Sequence, residues 1–404
     1  MHILHIAASC GPQSASGRLC IALKNTGCHI STLVLEPPSL PDAYISPPLG
    51  SILLQKKLIS RLGKIPFLFY PHRNRNIIWS SHLFGGNLSH IINKIKPDIV
   101  HLHWIAASTI SLACLKKISC PIVWTFHDVW PLTAGCHCQF ECTQWKNKCT
   151  DCIQLKKCIL PLDICSWLWK NKANKLKELN ITAITPSRWL TSIAKESPLW
   201  KNKAIVHIPN AIDTKKFSPG EKTTARLNLN IPLNDKVILF GATESDLYHK
   251  GFDLLIQALS RIKNTLNLHL LIFGHHFQYI DLPIQTTFTG WISNIDQLVT
   301  VYRSADVYVA PSRQESLNMT LVEASSCGIP CVSFNTTGMP DTIKHCRTGY
   351  LARPFDIDDL AKGIKQCFDP NNVEWGKNAR VHAITHFDAS IVSKQHIELY
   401  KSLL

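Results

Sequence analysis

A chain of 404 residues outgrows one comfortable hydrophobic core, so two domains are expected. A composition 45% hydrophobic and only 18% charged excludes a disordered polymer and fits large buried sheets. Forty-three Lys and Arg against 28 Asp and Glu leave a charge of +15, which favours phosphorylated substrates or an anionic leaflet; no basic run is dense enough for a nucleic-acid arm, so no nucleic-acid partner is expected.

The opening MHILHIAAS has neither the charged n-region nor the long apolar core of a signal peptide and reads as a first strand. Nowhere do eighteen apolar residues run uninterrupted, so no membrane-spanning helix is expected. The expected location is the cytoplasm, where sixteen cysteines are thiols, metal ligands or small buried side chains rather than disulfides.

The strand at 1–7 leads through SCGPQSASGR into a helix ending near residue 25. Gly11 and Gly17 let that loop approach a ligand, or simply turn. The stretch 51–75 mixes Leu, Ile and Phe with Lys and Arg, the pattern of a segment lying on an anionic bilayer or of one packed on the protein's own core. A helix at 81–95, a strand at 98–104, a helix at 108–117 and a strand at 121–126 follow. This alternation predicts an α/β fold with parallel sheets and ligands at the carboxyl ends of their strands. His103 and His127 both fall at such ends, as ligand-facing or as buried structural histidines.

Six cysteines crowd 135–158 (GCHCQFECTQWKNKCTDCIQLKKC), spaced C-x-C-x3-C-x6-C-x2-C-x5-C. Four thiolates close a tetrahedral zinc site, and the pair Cys149 and Cys152 has knuckle spacing. The working set is Cys136, Cys142, Cys149 and Cys152, with Cys138, His137 and Cys158 as substitutes. A disulfide-stapled or a reduced insertion are the other readings.

Strands at 181–185 and 204–208 run to Pro209, after which 236–242 starts a second alternation. It continues through a helix at 250–262, strands at 268–274 and 286–291, a helix at 295–304 and strands at 306–310 and 330–334. The expected domains are therefore 1–209, with a cysteine-rich insertion at about 135–165, and 210–388. The terminal helix, 389–404, is expected to pack back on the first domain.

In the stretch 311–328 (PSRQESLNMTLVEASSCG) a strand precedes a loop and a helix that stops at glycine. Glu315 falls in the loop and Glu323 on the helix. Between them the N–H groups of Leu317, Asn318 and Met319 leave the helix N-terminus, where the dipole favours an anion such as phosphate. Carboxylate, anion site and carboxylate in that order suit a nucleotide-sugar; an amphipathic helix with two solvated glutamates is the alternative.

SADVYVAPSRQESLNMTLVEASSCGIPCVSF resembles the C-terminal signature of the retaining glycosyltransferases of family 4, with their Glu-x7-Glu motif. KPDIVHLHW, TFHDVWPLTAGCH with its cysteines, HIPNAIDTKKFSP and KGFDLLIQAL resemble the same family in order, so the likeness covers most of the chain. The cysteine stretch looks most like the subgroup associated with colanic acid, other exopolysaccharides or O-antigens. The resemblance implies a GT-B fold, two Rossmann-like doubly wound domains facing a cleft, and transfer from a nucleotide-sugar donor with retention. The acceptor would be a glycan or lipid-linked glycan, with the inner membrane face as a candidate surface.

Carried over by motif, Glu315 would bind donor-sugar hydroxyls and Glu323 the ribose. Leu317, Asn318 and Met319 would hold the diphosphate with Lys250, His127 would lie near the sugar, and the loop around Gly11 would face donor and acceptor. No metal is then required for catalysis, and a zinc at the cysteines would be structural.

The sequence departs from the family pattern at Gly11–Pro12, at Asn210–Ala211, at Asp341 in TTGMPD, and in the loop ATESDLYHKG, where His249 stands nearest to a missing arginine. A sugar-nucleotide epimerase on the same fold and a non-enzymatic, basic metal-binding module are the competing expectations.

Overall fold

The computed structural model describes residues 1–34, 62–74, 77–106, 109–160, 162–242, 247–265, 267–274 and 282–404. They form two compact units, one of Met1–Pro209 with Ser393–Leu404 and one of Asn210–Val392.

In the first unit, β1 (His2–Ala7), β2 (His29–Val34), β3 (Ile99–Leu102), β4 (Ile122–Thr125), β5 (Ile181–Thr185) and β6 (Ile205–His207) form one parallel sheet in the order β2-β1-β3-β4-β5-β6. Strands buried on both faces read as continuous apolar runs, as Ile-Val-Trp-Thr in β4 does. Three buried tryptophans, one of them Trp124 of β4 itself, belong to the core of this unit. Each indole N–H donates to a carbonyl: Trp124 to His103 at 3.0 Å, Trp130 to Ser80 at 3.1 Å and Trp200 to Pro131 at 2.9 Å. This lets large rings fill the core without a stranded donor.

In the second unit, β7 (Lys236–Gly241), β8 (Leu268–Phe273), β9 (Gln285–Gly290), β10 (Val307–Ala310), β11 (Cys331–Phe334) and β12 (Gly349–Ala352) pair in parallel as β12-β11-β10-β7-β8-β9. The order reverses between β7 and β10, a doubly wound arrangement. Asn294 caps the helix Ile295–Ser304 by accepting from the N–H groups of Asp296 and Gln297.

Three predicted helices differ from the sequence expectation, two of them for a local reason. The one expected at 250–262 begins at Phe252, because Gly251 adopts φ 72° and separates it from the single turn Leu247–Lys250. That expected at 81–95 shrinks to Ser89–Ile95, since Gly85 lies against the backbone of Ser111, where a Cβ would come within 2.6 Å. The third, expected at 108–117, is the short turn Leu112–Leu115. Of the stretch 51–75, residues 51–61 and 75 lie outside the described residues. No helix among the described residues is long and apolar enough to cross a membrane.

The last helix, Ala389–Leu403, passes from one unit to the other at Ser393. Near its end the buried Tyr400 hydroxyl lies 2.6 Å from His101 Nδ1 on β3.

Several buried or partly buried histidines are held neutral. Burial pushes His5 down to about 3, helped by His396; it pushes His82 down to about 4, helped by Lys172; and it pushes His127 down to about 4 against the Asp128 charge. Unfolded, each takes up its proton near 6.5. The unfolded chain therefore binds more protons below that value, and stability falls with pH from about 6.5 to 4, by up to about 1.4 kcal/mol per unit of separation for each group. Urea midpoints measured between pH 7 and 5 should drop steadily, because this upper part of the window lies above the range, from about pH 5 downward, where carboxylates dominate. A flat profile would show that these rings are not buried neutral.

Candidate functional site

At a strand-order reversal, neighbouring connections leave the sheet on opposite faces and a crevice opens at the carboxyl ends. In the second unit those ends belong to β7 and β10. The chain after β7 returns through Lys250, and the chain after β10 runs directly through Pro311 to Glu315.

The two segments meet at backbone distance. A Cβ on Gly251 would lie 1.9 Å from the Pro311 carbonyl oxygen, so only glycine fits, and its left-handed φ adds the same requirement. The Arg313 N–H donates to the His249 carbonyl at 2.8 Å, and the His249 ring bonds the Gln314 carbonyl. Arg313 also stacks over Tyr248 at 4.0 Å and forks onto Asp253 through bonds of 2.8 and 2.7 Å. His249, the nearest substitute for the missing arginine, thus holds the loop together.

Locked in this way, Lys250 Nζ lies 2.7 Å from Glu315 Oε1. Asn318 Nδ2 donates to the same oxygen at 3.1 Å. Burial alone would raise the Glu315 carboxyl, but Lys250, His249 and hydrogen bonds outweigh it and hold the group below its usual range. From the other side, the Thr337 hydroxyl accepts from Glu315 N–H at 3.1 Å, and Gly338 N–H donates to the Glu315 carbonyl at 3.0 Å.

Asn318 is the N-cap of the helix Met319–Ser326, its side-chain oxygen accepting from Leu321 N–H at 3.2 Å. Among the described residues no protein acceptor pairs with the N–H groups of Leu317, Asn318 or Met319. Lys250, Glu315 and this helix end are therefore one constellation. Because the helix begins at Met319, the eight-residue step from Glu315 to Glu323 spans loop and helix, and the two carboxylates do not share a helical face. Glu323 is buried, and Tyr302 donates its hydroxyl to Glu323 Oε2 at 2.6 Å. The other acidic pair, Asp356 and Asp358, is engaged locally: Asp356 caps the helix Ile357–Gln366 and Asp358 pairs with Arg261.

Gly11 and His127 belong to the first unit. The Gly11 carbonyl accepts from Ser14 N–H at 3.0 Å and from the Ser14 hydroxyl at 2.7 Å, and Gly17 packs on the same oxygen. His127 is half-buried, with Nε2 3.1 Å from His103 Nδ1. One residue on, Asp128 accepts from Trp104 Nε1 at 2.8 Å and lies 2.6 Å from His137 Nδ1, while His137 Nε2 meets the Ser80 hydroxyl at 2.9 Å. With both ring nitrogens engaged, His137 is not available as the substitute ligand expected for the cysteine cluster.

The cysteine stretch is anchored from below by Lys172. Its buried ammonium donates to the carbonyls of Trp130 and Thr133 at 2.7 and 2.8 Å, sits 3.5 Å from the Trp130 ring centre, and is lowered to about 7 by burial. Cys136, Cys142, Cys149 and Cys152 lie within electrostatic reach of one another. Cys165, from the helix Ile164–Lys177, joins them: its thiol bonds both Cys149 and Cys152 and draws Cys152 down to about 6. Its position at the far edge of the expected insertion left it without a spacing signal. Cys158 instead meets Tyr70. Among the described residues, the group whose ligand atoms all fall within 4.8 Å is not this one but His5, His101 and His103.

Residues 15–216 match the family described as Glycosyltransferase Family 4, and residues 221–382 match Glycosyl transferases group 1. The chain belongs to glycosyltransferase family 4. Among curated relatives, it is 25% identical over 297 residues to the sulfoquinovosyl transferase of Arabidopsis thaliana, covering 68% of this chain and 50% of that one. It is 23% identical over 214 residues to the N-acetyl-alpha-D-glucosaminyl L-malate synthase of Bacillus anthracis, covering 50% and 55%. The chain spans about half the length of the curated relatives it matches.

Sucrose-phosphate synthase from Thermosynechococcus elongatus superimposes with a TM-score of 0.70 at 18% identity, covering 100% of this chain and 99% of that one. Anabaena Alr3699/HepE in complex with UDP-glucose gives 0.65 at 16% identity, covering 100% of both. The architecture is thus α/β of the GT-B type, as family 4 implies.

The Lys250–Glu315 pair sets a measurable coupling. Lys250→Met leaves a shielded carboxylate without its cation and should cost about 2 kcal/mol in urea denaturation. Lys250→Met with Glu315→Gln should recover most of that loss. Equal destabilisation in the single and double variants would show that the ion pair does not govern this loop.

Proposed function

We propose that this chain is a retaining, metal-independent glycosyltransferase that moves a sugar from a nucleotide-sugar to a glycan or lipid-linked glycan acceptor in bacterial surface polysaccharide synthesis. The observation that carries this reading is the constellation of Lys250, Glu315 and the Asn318-capped helix end at the strand-order reversal. Its chemistry suits a diphosphate leaving group. As the bond from the anomeric carbon to the phosphate breaks, negative charge grows on the diphosphate. An ammonium and preorganised N–H groups then stabilise it, each such donor being worth about 3 kcal/mol.

In this reading the diphosphate takes over Lys250, and Glu315, released from its ion pair, receives the sugar hydroxyls. Glu323 serves the ribose through its place on the same helix. From the first unit, the family resemblance assigns His127 to the donor sugar and the Gly11 loop to donor and acceptor. The acceptor subgroup rests on the likeness of the cysteine stretch to enzymes of exopolysaccharide and O-antigen assembly.

An anionic membrane surface as partner is supported by the described part of the basic, apolar stretch, where Ile65 and Leu68 are exposed beside Lys64. A structural zinc drawing on Cys136, Cys142, Cys149 and Cys152 is proposed from the donor set alone. One zinc per chain by elemental analysis is the expected result. Metal-free chain with full activity and an unchanged melting temperature would dismiss it.

Glu315→Ala should cut sugar transfer at least about 100-fold while the protein still folds and melts cooperatively. The donor can first be found by a thermal-shift screen of nucleotide-sugars, because a ligand at 100 times its Kd adds about 2.7 kcal/mol. Unchanged turnover in Glu315→Ala would refute the assignment.

A further inference from the structure

In the first unit His127 heads a line of three imidazoles. His127 Nε2 lies 3.1 Å from His103 Nδ1, and His103 Nε2 lies 2.8 Å from His5 Nδ1. The rings along the line are nearly parallel, inclined by 29° and 11°. His5 and His103 are buried; the β1–β3 register sets His5 opposite His101, and His103, one residue past β3, donates its backbone N–H to the Ile6 carbonyl at 2.9 Å, which brings its ring to His5. At the inner end, His5 Nε2 is buried and has no hydrogen-bond partner among the described residues.

Three neutral imidazoles carry three N–H protons. Two of them occupy the two links, and both links must run the same way, so all three rings share one tautomer. If every ring carries its proton on Nε2, the spare proton sits on His5 Nε2, a buried donor without an acceptor. If every ring carries it on Nδ1, the spare proton sits at the outer end on His127, and only a lone pair is left at His5. Buried N–H groups without acceptors are the rarer defect.

We propose that His5 and His103 are positioning residues that fix His127 in the Nδ1–H tautomer. His127 then presents a neutral N–H donor, and its Nε2 is committed as an acceptor from His103. A ring so held can donate a hydrogen bond to a sugar oxygen and cannot take a proton at Nδ1. This last consequence rests on the reading that His127 meets the donor sugar; the tautomer itself does not.

The surroundings keep the line neutral. His101 stacks on His103 at 4.3 Å, but its own nitrogens are engaged by Tyr400 at 2.6 Å and Thr125 at 2.7 Å. His396 and Tyr400 face the line from the last helix, and Asp128 follows His127 with its carboxylate bonded to Trp104, Trp130 and His137. The same engagement argues against a metal at His5, His101 and His103. Both His101 nitrogens are already bonded, to the hydroxyls of Tyr400 and Thr125, and both His103 nitrogens to the flanking imidazoles.

The test is 15N NMR of histidine-labelled full-length protein at pH 7 without substrate. His5, His103 and His127 should each show a protonated Nδ1 and an unprotonated Nε2. A protonated Nε2 on His127 overturns the proposal from the wild-type spectrum alone, so no variant needs to fold for the idea to fail. His5→Asn, whose amide N–H can replace Nδ1–H, should keep the wild-type tautomer at His127. His5→Phe should give a mixture of tautomers and, with the donor in hand, a kcat about tenfold lower at unchanged KM, rescued by His5→Asn. A His5→Phe spectrum identical to wild type at His127 would also overturn it. Because the spectra need no donor, a failed transferase assay leaves the tautomer result standing, and a wrong tautomer leaves the transferase reading standing.

Discussion

The constraint on which the rest of the second unit depends is geometric: a parallel sheet sends all its forward connections to one edge, and reversing the strand order parts them there. Between β7 and β10 that parting is then narrowed by Gly251, which lets one connection press its backbone onto the Pro311 carbonyl of the other. Lys250 and Glu315 are neighbours because of this contact, although 65 residues separate them in the chain. The charge pair follows from the backbone approach, and a larger residue at 251 would separate the groups before any change in their chemistry.

The constellation is internally satisfied. Lys250 neutralises Glu315, and Asn318 both caps the helix and steadies the same carboxylate. Such an arrangement keeps a shielded carboxylate charged.

Much of this was legible in the sequence where local rules and tertiary demands agree. The run KVILFG is a buried strand on any reading, and Asn294 with Asp296 signals a helix start that the fold keeps. The grouping of Glu315, Asn318 and Lys250 was readable through motif likeness. What spacing could not show was that Glu323 turns to Tyr302, because the loop breaks the helical period at Asn318. Gly251 looked like an ordinary helical residue, and only the Pro311 oxygen beside it explains the break. Strand β2, HISTLV, has no clean alternation, and Cys165 lies beyond the cysteine run; both acquire meaning from partners distant in sequence. The histidines at 103 and 127 were visible as strand-end residues, but their link to His5 needed the β1–β3 pairing.

The final helix has a bearing on the order of events as the chain is made. The first unit is discontinuous: its last piece, residues 393–404, emerges only after the whole second unit, and it brings Tyr400 to His101 in the middle of the first sheet. Until then β3 holds a buried imidazole lacking one of its two partners. Domains ordinarily mature in the order of synthesis. Here the second unit can be complete while the first still waits for its closing helix, so the unit begun first is the one finished last.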